Sequence, residues 1–174
     1  MNDFYRIGHG FDVHRLETGE GMMLGGVFIA CPYKIIAHSD GDVIIHALCD
    51  ALLGAIGGGD IGKLFPDSDV KYRGMAGQRL LADVTTRVKA AGFEVINADL
   101  TLIAQVPRVA PHADKMRDII AGELAIAIER VNVKATTNEG MGHIGRAEGI
   151  AAHAVVILGK SNAPNVTESV APPG

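Results

Sequence analysis

Apolar and polar residues alternate over residues 4–14 and again over 22–30, which predicts two strands separated by a turn from Glu17 to Gly21. Pro32 closes the second strand. Residues 34–41 carry no period and read as a loop, with Asp40 as the N-cap of the next element. From Asp42 the period lengthens: Ile44, Ile45, Leu48, Leu52, Leu53 and Ile56 recur at helical spacing, and Gly57-Gly58-Gly59 stops the helix. Residues 60–69 return to loop. A second amphipathic helix is predicted over 75–91, ended by Gly92, and a long strand over 93–105. Pro107 and Pro111 bracket a short loop before a third helix over 112–128. A strand over 131–137, a flexible turn through Gly140, Gly142 and Gly145, and a last apolar strand over 149–158 complete the pattern. This order predicts an α/β protein of the α+β type, a single mixed sheet with helices packed on one face. One domain spanning residues 1–160 accounts for it, and residues 161–174, without apolar periodicity, are expected to form a disordered tail.

Composition narrows the classes. A chain of 174 residues is long enough to bury a core in one domain. Its 22 glycines and absence of tryptophan point to tight turns and close backbone approaches. The net charge of −4 argues against a nucleic-acid surface, which needs a basic excess. Two cysteines, Cys31 and Cys49, make no disulfide framework, so a reducing, cytoplasmic setting is expected. No apolar run is long enough to span a bilayer, and no membrane partner is expected.

Three residues then change the picture. Asp12 and His14 stand two apart, so on a strand they share one face. His46 sits on the apolar side of the predicted helix, with Asp50 one turn on as an outer partner for its second nitrogen. Two imidazoles and a carboxylate are a frequent ligand set for catalytic zinc with an open fourth position. The alternative is that Asp12 caps a turn and the histidines are surface or satisfied core groups. Lys134 to Gly140 leaves a strand and enters a glycine-rich turn whose N–H groups and hydroxyls suit phosphate oxygens; Glu139 fits there if Mg²⁺ bridges it to them. An ordinary Thr/Asn/Gly turn is the other reading. Arg146 supplies a fixed cation or a solvated surface group. Ala104 to Ala110 leaves a strand at a proline and exposes backbone groups able to read the edge of a base. Asp60 in Gly59-Asp60-Ile61-Gly62 accepts from a ribose hydroxyl or caps the next turn.

These segments together resemble the 2-C-methyl-D-erythritol 2,4-cyclodiphosphate synthase family. The resemblance runs from Arg6 to about Lys160. It rests on residues 6–14 (RIGHGFDVH), 37–43 (AHSDGDV), 46–48, 50–55 (DALLGA), 59–62 (GDIG), 65–67 (FPD), 103–105 (IAQ), 133–137 (VKATT), and Gly145-Arg146 with Glu148-Gly149. It implies conversion of 4-diphosphocytidyl-2-C-methyl-D-erythritol 2-phosphate to 2-C-methyl-D-erythritol 2,4-cyclodiphosphate with release of CMP, a phosphorus–oxygen lyase reaction in non-mevalonate isoprenoid biosynthesis. It also implies a homotrimer with active sites between subunits. Carried over by position, Asp12, His14 and His46 hold Zn²⁺ or another divalent transition metal, and Glu139 holds Mg²⁺ or Mn²⁺. His38 and Thr137 take catalytic roles, and His38 and Ser39 lie on a loop over the substrate. Asp12 and His14 also face the substrate. Asp60, Ile61 and Gly62 contact its sugar parts, with Phe65, Pro66, Asp67, Ser68 and Asp69 nearby. Ala104, Gln105, Val106, Pro107, Arg108, Val109 and Ala110 receive the cytosine of this small-molecule cytidine diphosphate. Thr136, Thr137, Asn138 and Glu139 handle the diphosphate, with His143 and Arg146 beside it. Two positions depart from the family pattern: His143 stands where a larger apolar residue is usual, and Ala147 where glycine is. A zinc-dependent phosphodiesterase acting on a cytidine diphosphate ester, and a non-catalytic nucleotide-binding trimer, are the rival readings.

Overall fold

The computed structural model describes residues 5–37, 39–65 and 74–161. A five-stranded mixed sheet carries the domain. Its strands are β1 (Tyr5–Thr18), β4 (Tyr33–Ile36), β5 (Phe93–Ile103), β6 (Val131–Thr136) and β7 (Gly149–Lys160), in the order β4-β1-β7-β5-β6. Only β5 and β6 run parallel. The helices α1 (Val43–Ile56), α3 (Gly77–Ala90) and α4 (Ala113–Leu124) line up beside the sheet, with single turns α2 (Ile61–Leu64) and α5 (Gly142–Gly145). None of the described helices is long and apolar enough to cross a membrane.

Alternation on β1 decides which face takes the helices. Gly8, Gly10, Asp12, His14 and Leu16 point one way; Ile7, His9, Phe11 and Val13 point the other. α1 lies against the first set. It is apolar almost all round and buried from Val43 to Ala55 except at Asp50 and Gly54, as expected of a helix packed on the sheet with α3 alongside it. The contact is backbone to backbone. A Cβ on Gly8 would sit 1.8 Å from the Ala51 carbonyl oxygen, and one on Gly10 1.9 Å from that of Ala47. Leu100, Leu102, Ile150, Val156 and Leu158 complete the same apolar layer. No helix layer covers the opposite sheet face among the described residues: Tyr5, Ile7, Phe11, Val13 and Val155 remain exposed, Ile7 at 72%.

Several sequence expectations shift here. The strand expected over 4–14 continues to Thr18, because Arg15–Thr18 pair with Tyr33–Ile36, of which residues 34–36 belong to the stretch that reads as loop. The strand expected over 22–30 is instead a small hairpin, β2 (Met22–Leu24) and β3 (Val27–Ile29). Gly25 and Gly26, at φ 57° and 77°, turn the chain tightly between them. The N-cap of α1 is Asp42 rather than Asp40: it accepts from Ile45 N (3.2 Å), Gly25 N (2.8 Å) and Gly26 N (2.7 Å), tying hairpin to helix. Asp40 accepts from Gly77 N at 2.7 Å and so anchors the start of α3. The helix expected over 112–128 stops at Leu124, where Ala125 turns left-handed (φ 57°) and Ile126 N returns to the Ala121 carbonyl. The expected loop over 60–69 contains α2, and the flexible glycine turn contains α5 with Ile144 buried. The tail expected from 161 onward lies outside the described residues beyond Ser161.

Candidate active site

Asp12 and His14 leave β1 toward the helix layer, and α1 brings His46 down onto them. Asp12 Oδ2 lies 2.9 Å from His14 Nε2 and 3.0 Å from His46 Nδ1, and the two imidazole nitrogens are 3.2 Å apart. Three potential ligand atoms converge on one point. An ion bound at roughly 2.0–2.2 Å from each donor fits this spacing, so the residues suit a divalent transition metal. Charges are set for it. Burial opposes ionisation of Asp12, but hydrogen bonds from His14 and His46, together with their charges, hold its carboxyl well below the usual range. For His46, burial favours the neutral ring, yet the Asp12 hydrogen bond and the charges of Asp12, Asp42 and Asp40 raise its pKa above the ordinary value.

The outer partner of His46 is not the one expected. Ser39 Oγ stands 3.3 Å from His46 Nε2, whereas the Asp50 carboxylate accepts from Ile61 N at 2.8 Å and pins the entry to α2. Burial pushes the Asp50 carboxyl up despite that hydrogen bond. An Asp one turn along a helix is an ambiguous sign, because the loop folding back over it competes for the same oxygen. The family resemblance gives Ser39 to the substrate alone; its link to His46 arises from the sharp return at Gly41 (φ 71°), which the sequence marks only by the glycine.

A second cluster forms where β5 and β6 end together. Ala104 N donates to the Thr136 carbonyl at 3.0 Å, so the 104–110 loop and the 136–139 turn are neighbours. Gln105 Oε1 is buried with no hydrogen-bond partner among the described residues, and the Val106-Pro107 peptide is cis. Glu139 adopts φ 50° and is held by Thr137: its N–H donates to Thr137 Oγ1, which donates to Glu139 Oε1, both at 3.3 Å. Asn138 Nδ2 donates to the Met141 carbonyl at 2.6 Å. Asp60 uses Oδ1 to cap α2 through Lys63 N at 2.8 Å, the capping alternative of its two readings. Arg146 is not a free cation: its Nε donates to Glu148 Oε1 at 2.7 Å. His143 is on α5. Ile61, Gly62 and Phe65 lie on or beside α2, while His38, Pro66, Asp67, Ser68 and Asp69 lie outside the described residues. Sequence reasoning also missed the open-face network in which Lys134 and Asn132 both bond Asp99; its trace was the alternation of β5 and β6.

Both clusters occupy one end of the sheet. His14 pairs with Ile150, Ala151 with Ile103, and Ile103 with Thr136. Three inter-strand steps separate the strands of His14 and Thr136, about 14 Å. His14 faces the helix layer, whereas Thr136 shares the open side with Ile103 and Ala151.

A metal-competent carboxylate–imidazole site and a threonine/glycine turn on one end of a mixed α/β sheet define a candidate enzyme of phosphorylated small molecules. The chain belongs to the YgbB family, whose model matches residues 5–159. It is 54% identical over 153 residues to the 2-C-methyl-D-erythritol 2,4-cyclodiphosphate synthase of Nitrosococcus oceani, covering 88% of this chain and 97% of that protein. To the Aliivibrio salmonicida synthase it is 56% identical over 158 residues, covering 90% and 99%. Among solved structures it resembles the bifunctional IspDF from Campylobacter jejuni, with TM-score 0.86 and 43% identity over 90% of this chain and 42% of that one. It also resembles the CDP complex of IspF from Plasmodium falciparum, with TM-score 0.82 and 31% identity over 93% and 100%.

Proposed function

We propose that this protein converts 4-diphosphocytidyl-2-C-methyl-D-erythritol 2-phosphate to 2-C-methyl-D-erythritol 2,4-cyclodiphosphate and CMP, a step in making isoprenoid precursors by the non-mevalonate route. Full-length likeness to synthases of that name supports the reaction. The convergence of Asp12, His14 and His46 on one point is the observation that carries the site assignment.

The substrate's own 2-phosphate displaces CMP at the β-phosphorus, so no side chain needs to be a nucleophile. Catalysis then consists of orienting two anionic groups and lowering their repulsion. A divalent transition metal at Asp12, His14 and His46, with Mg²⁺ at Glu139, would draw off phosphate charge when bound. Ser39 steadies His46 through Nε2. Thr137 and the N–H groups of the 136–139 turn are suited to donate to phosphate oxygens that gain charge in the transition state. The 104–110 loop, bonded to Thr136, is the proposed seat of the cytosine. Asp60, Ile61 and Gly62 flank the sugar, and His38 with Ser39 excludes water.

A homotrimer is favoured by two features. The open sheet face leaves Ile7, Phe11 and Val155 exposed together, more apolar surface than a lone sheet face keeps in water. The metal ligands and the Thr136 turn sit on opposite sides of one sheet about 14 Å apart, so a site combining them at close range draws each from a different copy. The cytoplasm is the proposed setting.

The test is CMP release and phosphorus NMR of the product in heavy-oxygen water. Cyclisation leaves no solvent oxygen in the diphosphate; a labelled, linear product would establish hydrolysis instead, and CMP bound without turnover would establish a binding protein. His46→Ala is expected to lose the metal and nearly all turnover.

A further inference from the structure

Outside the triad, one other pair of imidazoles meets among the described residues. His9 on β1 and His153 on β7 stand on the open face, on the other side of the sheet from Asp12 and His14. His9 Nε2 lies 3.0 Å from His153 Nδ1, with the rings stacked at 5.3 Å between centroids and 28° between planes. We propose that His9 and His153 form a second metal site, taking one divalent transition ion between these two nitrogens.

The spacing is the first argument. It nearly equals the 3.2 Å between His14 and His46 in the triad. Two nitrogens bound about 2.05 Å from one ion lie about 2.9 Å apart when at right angles and about 3.3 Å apart in a tetrahedron. The observed 3.0 Å, the length of the pair's own hydrogen bond, lies between these two values and admits an ion of either geometry. Cu²⁺ leads the affinity order of divalent ions for nitrogen donors. Rigidity is the second argument. The two residues sit on adjacent, fully paired central strands, diagonal to each other, since His9 opposes Val155 and Phe11 opposes His153. The Phe11 ring packs against His153 at 4.8 Å and helps to fix its imidazole. Thr101 opposes His153 on β5, while Asp99 is engaged by Lys134 and Asn132, leaving the remaining positions to a hydroxyl or water.

Without metal, the pair shares one N–H···N hydrogen bond. Binding replaces it: the accepting ring keeps its N–H on its far nitrogen, the donating ring passes its shared proton to solvent and takes a proton back on its far nitrogen, and both then present a lone pair to the ion, with N–H on His9 Nδ1 and His153 Nε2. No proton is gained or lost by the neutral rings. Neither residue is given a part in the reaction proposed above.

The experiment is a Cu²⁺ titration of the zinc-loaded protein and of His9→Gln and His153→Gln, followed by calorimetry and electron paramagnetic resonance. The unaltered protein should take up one further equivalent per chain with two nitrogen ligands; each variant should lose it or bind it at least tenfold more weakly. Equal stoichiometry and affinity in all three proteins would overturn the proposal. Because a variant could misfold, the unaltered protein is also followed by nitrogen NMR as Zn²⁺ is raised past the triad's equivalent. Shifts in both imidazoles support the site; an undisturbed N–H···N pair at saturating metal overturns it.

Discussion

Gly10→Ala should dismantle the metal site without touching a ligand. The added Cβ would lie 1.9 Å from the Ala47 carbonyl oxygen and 2.7 Å from Ala51 N, both backbone atoms inside a helix. Ordinary contact begins at 3.4 Å, so α1 must lift from β1 by about 1.5 Å, the difference between 3.4 and 1.9. His46 precedes Ala47 and rises with it. Its Nδ1 is 3.0 Å from Asp12 Oδ2, and the same displacement along that line opens the gap to about 4.5 Å. Two donors at about 2.1 Å each span at most about 4.2 Å even when opposite one another. His46 therefore drops out of the ligand set. Zinc affinity should fall by at least about 100-fold, beyond the roughly 10- to 100-fold of a lost outer partner. The overpacked interface should also cost about 1–3 kcal/mol of stability. The assay is zinc competition against a chromophoric chelator, with thermal unfolding of metal-free protein beside it. Gly122→Ala is the control: nothing lies within 4 Å of that Cβ, so it should stabilise α4 by up to about 1 kcal/mol and leave zinc binding alone. Wild-type zinc affinity in Gly10→Ala would refute the claim that helix–strand contact sets the ligand geometry.

The same geometry gives four further outcomes. The pKa of His46 is raised above 6.5, so in metal-free protein its contribution to stability is full below pH 6.5 and fades as pH rises through the folded value; Asp12, lowered from 3.8, contributes above that pH and loses its effect as acid protonates it. Metal-free protein should thus lose stability by calorimetry as pH rises above 6.5, while zinc binding tightens by up to about tenfold per pH unit as His46 gives up its proton. Ala147 occupies a left-handed conformation at φ 55°, and Ala147→Gly should relieve about 1 kcal/mol of backbone strain, read as a rise in unfolding temperature. Glu139→Gln should raise the Mg²⁺ concentration needed for half-maximal CMP release, and an unchanged magnesium titration would remove Glu139 from that role. Ile7→Asp, on the exposed face, should leave the monomer's far-UV spectrum intact and abolish trimers in sedimentation; an unaltered trimer would place the interface elsewhere.

Much of this protein is local and therefore visible in its residues. Period two and period three-point-six located β1, α1, α3, β5 and β7, because burial of one strand face or one helix stripe is written directly into the order of side chains. The Asp12–His14 pairing was legible for the same reason: two residues apart on a strand is one face. The turn at Gly57 was legible as a helix-stopping glycine, whereas at Ala147 the residues showed only that alanine stands where glycine is usual. Other features depended on partners far away in the chain. Arg15–Thr18 became strand only because Tyr33–Ile36 lies alongside. Asp42 took the cap of α1, and Asp50 turned from His46 to Ile61, because a folded-back loop offered each carboxylate a backbone N–H that sequence spacing cannot rank. The meeting of His46 with Asp12, and of His9 with His153, needed the sheet order and the bare backbone of Gly8 and Gly10. Side-chain order specifies which groups a segment presents; only the packing of segments, where distance, desolvation and competition for hydrogen bonds are settled together, decides which of those groups meet.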